Sequence, residues 1–328
     1  MPAENTSARS VLAKSQPLIA LAIMVLAMSI LSDNFLTPEN GWNILRQISV
    51  NLCLSIGMTL IILSGGIDLS VGAVLALSGA VAAGVLKNGI GLPAFDAQLQ
   101  FTLTGAIVSG IAVGLALGWF NGFVITRFRV PAFVATLGML SIARGLTMLW
   151  TGGFPITGLG DSFGYLGTGI FIGVPMPVWI TLGLVGVFVV VTRRTRFGRY
   201  LYAVGGNERA AVLTGLRVRR IKVWLYTLGG GLAGVAGLLV TARLDSAQPN
   251  AGLGYELDSI AAVVIGGTSL SGGRGSVMGT VLGCLIIGVL NNGLALLNVS
   301  PFWQQVIKGM VILAAVAIDK MNSKDRET

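Results

Sequence analysis

Long apolar stretches, separated by short polar or glycine- and proline-rich segments, make up nearly all of this 328-residue chain. A helix that crosses a lipid bilayer needs about 20 predominantly apolar residues. Cutting the chain at its polar segments predicts ten helical spans, and the segment at 257–268 is too short to cross a bilayer alone. The predicted spans are 16–32, 44–64, 70–86, 101–126, 133–150, 177–192, 223–242, 257–268, 276–297 and 303–319.

Composition supports a membrane protein, because 54% of the residues are apolar and only 11% are charged. An ordinary soluble domain carries about a quarter charged residues. We therefore predict an all-α integral membrane protein with one multi-spanning domain at 17–320. Tails at 1–16 and 321–328 flank this domain.

The basic residues predict the orientation, since lysine and arginine are retained on the cytoplasmic side during insertion. If the N-terminus is cytoplasmic, the basic run 193–222 forms the longest cytoplasmic segment, and only Lys87 and Arg243 lie outside. Ten spans then place both termini in the cytoplasm. The net charge of +9 is explained by this asymmetry and does not imply a nucleic-acid partner. The other inner basic residues are Arg9, Lys14, Arg127, Arg129, Arg274, Lys320, Lys324 and Arg326, and the outer acids are Asp33, Glu39, Asp96, Asp161, Asp245 and Glu256.

Several kinds of chemistry are excluded by the residues that the sequence lacks. There is no histidine, which removes histidine-based acid–base catalysis and histidine metal sites. The two cysteines, Cys53 and Cys284, each lie in an apolar run and are expected to be buried thiols. No Gly-x-x-x-x-Gly-Lys-Ser/Thr loop is present, so we expect no ATP hydrolysis by this chain, no enzyme activity and no cofactor.

Glycine accounts for 47 residues, and much of it recurs at every fourth position within the predicted spans. Such rows allow helix backbones to approach closely in lipid, and they could also let helices slide during transport. The rows are Gly110, Gly114, Gly118 and Gly122; Gly275, Gly279 and Gly283; and Gly230 with Gly234.

A glycine-rich pattern occurs twice, at 65–72 (GGIDLSVG) and at 266–273 (GGTSLSGG), each time between two spans. Transporters are often built from repeated halves, so the pattern indicates internal symmetry, although chance repetition is the alternative in so glycine-rich a chain. Asp68, in the first copy, is expected to face protein or water because a carboxylate is costly in hydrocarbon. It either caps the next helix or forms a gate at the inner mouth of a pathway.

The cytoplasmic segment 193–222 contains the signature of a short helix. Asn207 is a suitable N-cap, Glu208 follows at the positive end of the helix dipole, and Gly215 suits a C-terminal stop. Such a helix could be a simple connector, a contact with anionic lipid, or a lever that docks into a partner protein.

The third alternative is favoured by a resemblance that extends over nearly the whole chain, from about Pro17 to Lys320. The segments 65–72, 130–137 (VPAFVATL), 198–200 (GRY), 205–207 (GGN), 254–258 (GYELD) and 266–270 (GGTSL) resemble the ribose-type permease family of sugar ABC importers. This resemblance implies two permease copies, a pair of ATPase subunits, a periplasmic sugar-binding protein and a location in the bacterial inner membrane. The residues that it assigns to coupling with the ATPase are Gly205, Gly206, Asn207, Glu208, Ala210, Ala211 and Gly215.

Uncharged polar residues inside the spans are candidates to line the pathway, because amides and hydroxyls can exchange hydrogen bonds with a sugar. Each of them could instead simply join two helices. Arg46, Arg144 and Lys308 are expected to pair with acids or to reach the interface. Besides Asp68, the pathway candidates are Asn51, Ser55, Asn121, Asn291, Asn292, Gln304 and Gln305.

The outer loop 242–258 carries Arg243, Asp245 and Glu256 around a flexible centre. It is either a hydrated connector or, as the resemblance implies, the surface on which the sugar-binding protein docks. The expected function is thus an ATP-driven sugar importer subunit, with ribose as the first candidate. The alternatives are xylose, galactose, arabinose, allose, rhamnose, inositol or a sugar-like signal such as an autoinducer, and a transporter driven by protons or sodium.

Overall fold

The computed structural model describes residues 5–92 and 97–324, and these residues are mostly helical. The helices are α1 (Asn5–Leu31), α2 (Pro38–Leu63), α3 (Val71–Asn88), α4 (Leu103–Arg127), α5 (Ala132–Thr151), α6 (Asp161–Thr168), α7 (Met176–Arg194), α8 (Arg196–Gly206), α9 (Glu208–Leu213), α10 (Val218–Leu244), α11 (Tyr255–Ile265), α12 (Val277–Leu296) and α13 (Pro301–Lys324). Short strands form three antiparallel pairs: β1 (Ile90–Leu92) with β2 (Ala97–Leu99), β3 (Ile156–Thr157) with β6 (Ser246–Ala247), and β4 (Ile170–Phe171) with β5 (Val174–Pro175).

Every predicted span contains one of these helices, and the described ranges hold 7 helices that are long and apolar enough to cross a membrane. These seven are α2, α3, α4, α5, α7, α10 and α12. Helix α1 extends beyond the first predicted span, because it is continuous from Asn5, and its apolar part is Pro17–Leu31. Residues 1–4 and 325–328 of the predicted tails, and Asp96 of the predicted outer loop, lie outside the described residues.

Helix α10 lies at the centre of the bundle and packs against α2, α3 and α4. The predicted glycine rows form its contact with α4: a Cβ at Gly118 would overlap the Tyr226 carbonyl oxygen, and one at Gly114 would overlap that of Gly230. The backbones therefore touch directly, which confirms close packing as a role of these rows. In the row Gly275, Gly279 and Gly283, the last two glycines lie in α12 and pack in the same way against α11 and its C-terminal end.

The contacts along α10 fix the relative directions of the helices around it. Gly237 meets Leu75 of α3 and Thr241 meets Gly79, so α3 and α10 run parallel. Helix α4 runs antiparallel to α10, because Gly234 lies near Gly110 while Tyr226 lies near Gly118.

The chain after α10 turns back into the bundle before the next helix begins. Gly252 packs against Gly72 in the first turn of α3. At about 1.5 Å rise per residue, this contact lies roughly 15 Å deeper along the helix axis than the C-terminal end of α10. Helix α11 starts from this depth and has only 11 residues, too few to cross a bilayer. Residues 245–254 are therefore a re-entrant segment, and α11 is a half-helix.

Arg144 of α5 holds the re-entrant segment in place. Its Nη1 donates hydrogen bonds to the carbonyl oxygens of Pro249 (2.6 Å) and Ala251 (2.9 Å). Irregular backbone at membrane depth requires such partners, because hydrocarbon offers none. The expectation that Arg144 pairs with an acid is met only through the nearby charge of Glu256, since its hydrogen bonds go to backbone carbonyls.

Candidate coupling site and transport cavity

Helix α9 has the cap that the sequence predicts. The Asn207 side-chain oxygen accepts a hydrogen bond from the Ala210 backbone N–H at 3.0 Å. Glu208 occupies the first turn and forms an ion pair with Lys222 of α10 at 2.7 Å. Because Glu208 is 53% exposed, this pair contributes little to stability, and the carboxylate is accessible from outside the bundle.

The C-terminal stop of α9 is also the predicted one. Gly215 has φ +82°, and its N–H donates to the Val212 carbonyl (3.0 Å) while the Leu216 N–H donates to that of Ala211 (3.1 Å). This hydrogen-bond pattern is a Schellman motif, which favours glycine at the left-handed position. Ala211 is buried, whereas Ala210 is exposed.

Helix α8 brings the predicted coupling residues against both glycine-rich repeats. A Cβ at Gly205 would overlap the Leu63 carbonyl oxygen and would come within 2.6 Å of the Gly273 nitrogen. Gly206 has open space in the same position. The Tyr202 hydroxyl donates to the Gly275 carbonyl at 2.9 Å, and burial raises the pKa of this hydroxyl, which keeps it protonated as a donor at neutral pH.

The two glycine-rich repeats begin with the same kind of helix stop. Gly65 and Gly66 end α2 with N–H bonds to Ile62 and Ile61, and Gly267 and Thr268 end α11 in the same way with bonds to Val264 and Val263. Gly65 and Gly267 both have positive φ, so each repeat is a Schellman stop, offset by one residue in the sequence alignment. The repeats therefore mark two matching helix ends that meet at α8.

Asp68 caps the turn before α3. Its Oδ1 accepts hydrogen bonds from the Ser70 backbone N–H (2.8 Å) and hydroxyl (2.6 Å), and Asn121 Nδ2 of α4 donates to the same hydroxyl at 3.0 Å. All three side chains are buried. These contacts form a turn around Ser70, the N-cap residue of α3, and they link that turn to α4 through Asn121.

A cavity of about 400 Å³ lies near the C-terminal end of α10, whereas α9 contacts the N-terminal part of the same helix. It is bounded by α2, α10, α11, α12 and α13, and it brings together three of the predicted pathway residues, Asn51, Asn291 and Gln304. Its polar lining consists of Gln47, Asn51, Arg243, Tyr255, Asp258, Asn291, Gln304 and Lys308.

The cavity contains an ion pair that links α13 to α11. Lys308 Nζ lies 2.9 Å from Asp258 Oδ2, and Asn291 Nδ2 reaches the same oxygen at 3.4 Å. The expectation that Lys308 pairs with an acid is confirmed. Asp258 and Tyr255 were not singled out as pathway residues, although the GYELD segment contains both and could have drawn attention to them.

The remaining pathway candidates lie away from this cavity. Asn292 exchanges two hydrogen bonds with Asn40 of α2 (3.0 and 2.8 Å), so its amide joins helices. Ser55 is completely buried within the bundle, and Gln305 is exposed.

The three candidate docking residues make different contacts near the ends of α10 and α11. Arg243 lines the cavity, whereas Glu256 lies in the first turn of α11 beside Gly72. Asp245 ends α10 with φ +45°, and its Oδ1 accepts the Leu159 N–H at 2.8 Å, which ties the loop after α5 to the end of α10. Of the three, Asp245 is exposed, whereas Arg243 and Glu256 are half-buried.

The long apolar helices, the half-helix α11 and the polar-lined cavity beside it are the features of a multi-pass membrane protein. Residues 41–316 match the family described as "Branched-chain amino acid transport system / permease component", and the chain belongs to this family. It is therefore a transport subunit of the permease type.

Among curated proteins, the chain is similar to permeases for sugars. It is 50% identical to the ribose import permease protein of Bacillus subtilis strain 168, over 95% of this chain and 94% of that protein. It is 49% identical to the ribose import permease protein of Escherichia coli strain K12, over 94% of each. The D-allose transport system permease protein of the same strain is 40% identical, over 93% of this chain and 90% of that protein.

Proposed function

We propose that this chain is the membrane-spanning subunit of an ATP-driven importer for ribose. The observation that carries the proposal is the sequence identity to two ribose import permeases. About half of the residues are identical, over nearly the full length of this chain and of each relative. The amino acid named in the family description is less informative, because a family model is matched by permeases for different cargoes.

The proposed topology has ten helices that cross or enter the bacterial inner membrane, with both termini in the cytoplasm. The basic segment 193–222 supports the orientation, since it contains α8 and α9 and would be retained inside. In this topology α3 and α10 both run from the cytoplasm outward, and α4 runs inward. The packing supports these directions, since α3 is parallel and α4 antiparallel to α10.

A separate pair of ATPase subunits would dock on α9 and supply the energy. Support comes from the exposed Glu208 at the start of α9 and from the contact of the adjoining α8 with both helix-ending repeats. Movement of α8 and α9 would reach α2 through Leu63 and α11 through the segment 266–275. Two permease copies would form the pathway, and a periplasmic binding protein would deliver the sugar near Arg243 and Asp245.

A second candidate cargo is another monosaccharide, and the 40% identity to a D-allose permease is the observation in its favour. Transport driven by protons or sodium has less support. Asp68, the acid that such a mechanism would use first, already accepts two hydrogen bonds from Ser70.

The proposal is tested by reconstituting the chain in liposomes with the ATPase and the binding protein encoded beside it. Uptake of labelled ribose should require ATP and the binding protein, and it should exceed uptake of labelled allose. Gradient-driven uptake by this chain alone would contradict the ATP-driven mechanism, and faster allose uptake would contradict the assignment of ribose.

A further inference from the structure

We propose that the cavity at the start of α11 is a binding site for the transported monosaccharide within the permease itself. The inference rests on the proposed function, because it takes a neutral sugar as the cargo. It adds a location and a set of contacts at the end of the bundle opposite to α9.

The cavity has the size and the chemistry that a monosaccharide requires. Its volume of about 400 Å³ lies at the small end of the range for ligand pockets, roughly 300–1,000 Å³. Sugar hydroxyls both donate and accept hydrogen bonds, so a suitable site offers both kinds of partner. Asn51, Asn291 and Gln304 offer amide donors and acceptors, while Asp258 accepts and Lys308 donates.

The side-chain oxygens of two lining amides lack a hydrogen-bond donor among the described residues. The side-chain oxygens of Asn51 and Asn291 are buried, and no described residue donates to either of them. A buried acceptor without a donor costs roughly 1–3 kcal/mol, so natural proteins seldom leave one unless something else fills the role. Because these oxygens have almost no accessible surface, a bound sugar would reach them only after the amide groups rotate toward the cavity.

The ion pair in the cavity is arranged to hold a neutral ligand. Lys308 and Asn291 both reach Asp258 Oδ2, which leaves Oδ1 for a ligand hydroxyl. Because Asp258 is balanced by Lys308, the pair provides a strong donor and a strong acceptor without a large net charge. Helix α13 supplies the cation and α11 the anion, so a bound sugar would bridge the same two helices.

The position of α11 connects this cavity to the coupling residues. Asp258 lies in the first turn of α11. The other end of α11 is followed by Gly266 and Gly267, and further along the chain Gly273 contacts α8. A shift of α8 that moves α11 along its axis would displace Asp258 from Lys308. Sugar release would then follow from the same movement that couples to ATP.

The experiment uses thiol labelling of the assembled importer in right-side-out membrane vesicles. Cys53 and Cys284 are both buried, so the wild-type chain serves as the unlabelled background. In Asn291→Cys, a membrane-impermeant methanethiosulfonate reagent added outside should modify the new thiol. At a ribose concentration about ten times the Kd of the site, about one site in ten stays empty and labelling should slow about tenfold.

The neighbouring variant Asn292→Cys is the matched control, because its native side chain pairs with Asn40 outside the cavity and should stay unlabelled. Gln304→Cys, on the opposite wall of the cavity, repeats the test if Asn291→Cys fails to insert. Sucrose should give no protection. If wild-type vesicles import ribose but the cavity thiols are not labelled, or ribose does not protect them, the proposed site is wrong and the proposed function stands. Wild-type vesicles that fail to import ribose would overturn the proposed function instead.

Discussion

The Gly273 backbone N–H donates a hydrogen bond to the Leu63 carbonyl oxygen at 2.9 Å, which joins the second glycine-rich repeat to the end of α2. Gly205 of α8 lies against both of these groups. The three segments therefore meet as backbone on backbone. Displacement of α8 would therefore shift the end of α2 and the segment that follows α11 together.

This contact predicts different effects for two adjacent glycines. Gly205→Ala places a methyl group against the Leu63 carbonyl, and overpacking of this kind costs about 1–3 kcal/mol. We expect ribose uptake in proteoliposomes to fall about tenfold or more, while the ATPase subunits still hydrolyse ATP, because α8 no longer sits between the repeats. Gly206→Ala enters open space within this chain and leaves the contact of α8 with Leu63 and Gly273 intact, so it should retain much more uptake than Gly205→Ala. Equal transport by both variants would contradict the role of this contact.

Reversal of the charge at the start of α9 should uncouple the transporter. In Glu208→Lys the exposed carboxylate is lost and two lysines face each other, so ATP hydrolysis should continue without uptake while the chain still inserts. Lys222→Ala is the control, because it breaks the ion pair and keeps Glu208. If Lys222→Ala abolishes uptake equally, the ion pair matters and not the docking of Glu208. Unchanged transport by Glu208→Lys would remove α9 from the mechanism.

Loss of the guanidinium of Arg144 should destabilise the re-entrant segment. Arg144→Gln leaves the Pro249 and Ala251 carbonyls without their donor, at about 1–3 kcal/mol for each buried acceptor that stays unsatisfied. We expect a lower unfolding temperature in detergent and slower uptake. Arg127→Gln, at the exposed end of α4, should leave the unfolding temperature unchanged. An equal decrease in both variants would indicate a general charge effect.

The contact between α4 and α10 predicts opposite signs for two glycine substitutions. Gly118→Ala forces a methyl group into the Tyr226 carbonyl and should destabilise the protein by about 1–3 kcal/mol. Gly138→Ala, in α5, meets no other group within 4 Å and should stabilise its helix by up to about 1 kcal/mol. Thermal unfolding of the two purified variants measures the difference. A similar unfolding temperature for both would show that the glycine row is not a packing device.

Much of the local structure could be predicted from the sequence because its causes are local. Asn207 and Gly215 bracket α9 through contacts within a few residues, and the spacing of Gly114 and Gly118 places them on one face of α4. Hydropathy likewise located a helix within each predicted span.

The depth of a segment in the membrane and the rotation of a helix about its axis could not be predicted from the sequence in this way. Hydropathy gives the length of α11 but does not reveal that Gly252 returns to the level of Gly72. Asn291 and Asn292 have the same chemistry, yet adjacent residues point about 100° apart on a helix, so one lines the cavity and the other meets Asn40. Only the packing of α2 against α12 decides which of them faces the cavity.

The half-helix also constrains how the chain is assembled in the cell. The eleven residues of α11 include Glu256 and Asp258 and are too few to be retained as a span when they leave the ribosome, so α11 enters the bilayer only after its surroundings exist. Arg144 must already be in place to receive Pro249 and Ala251, and α12 must follow to present Gly279 and Gly283. A chain truncated before residue 277 would therefore leave residues 245–276 stranded at the membrane surface, as a target for proteolysis.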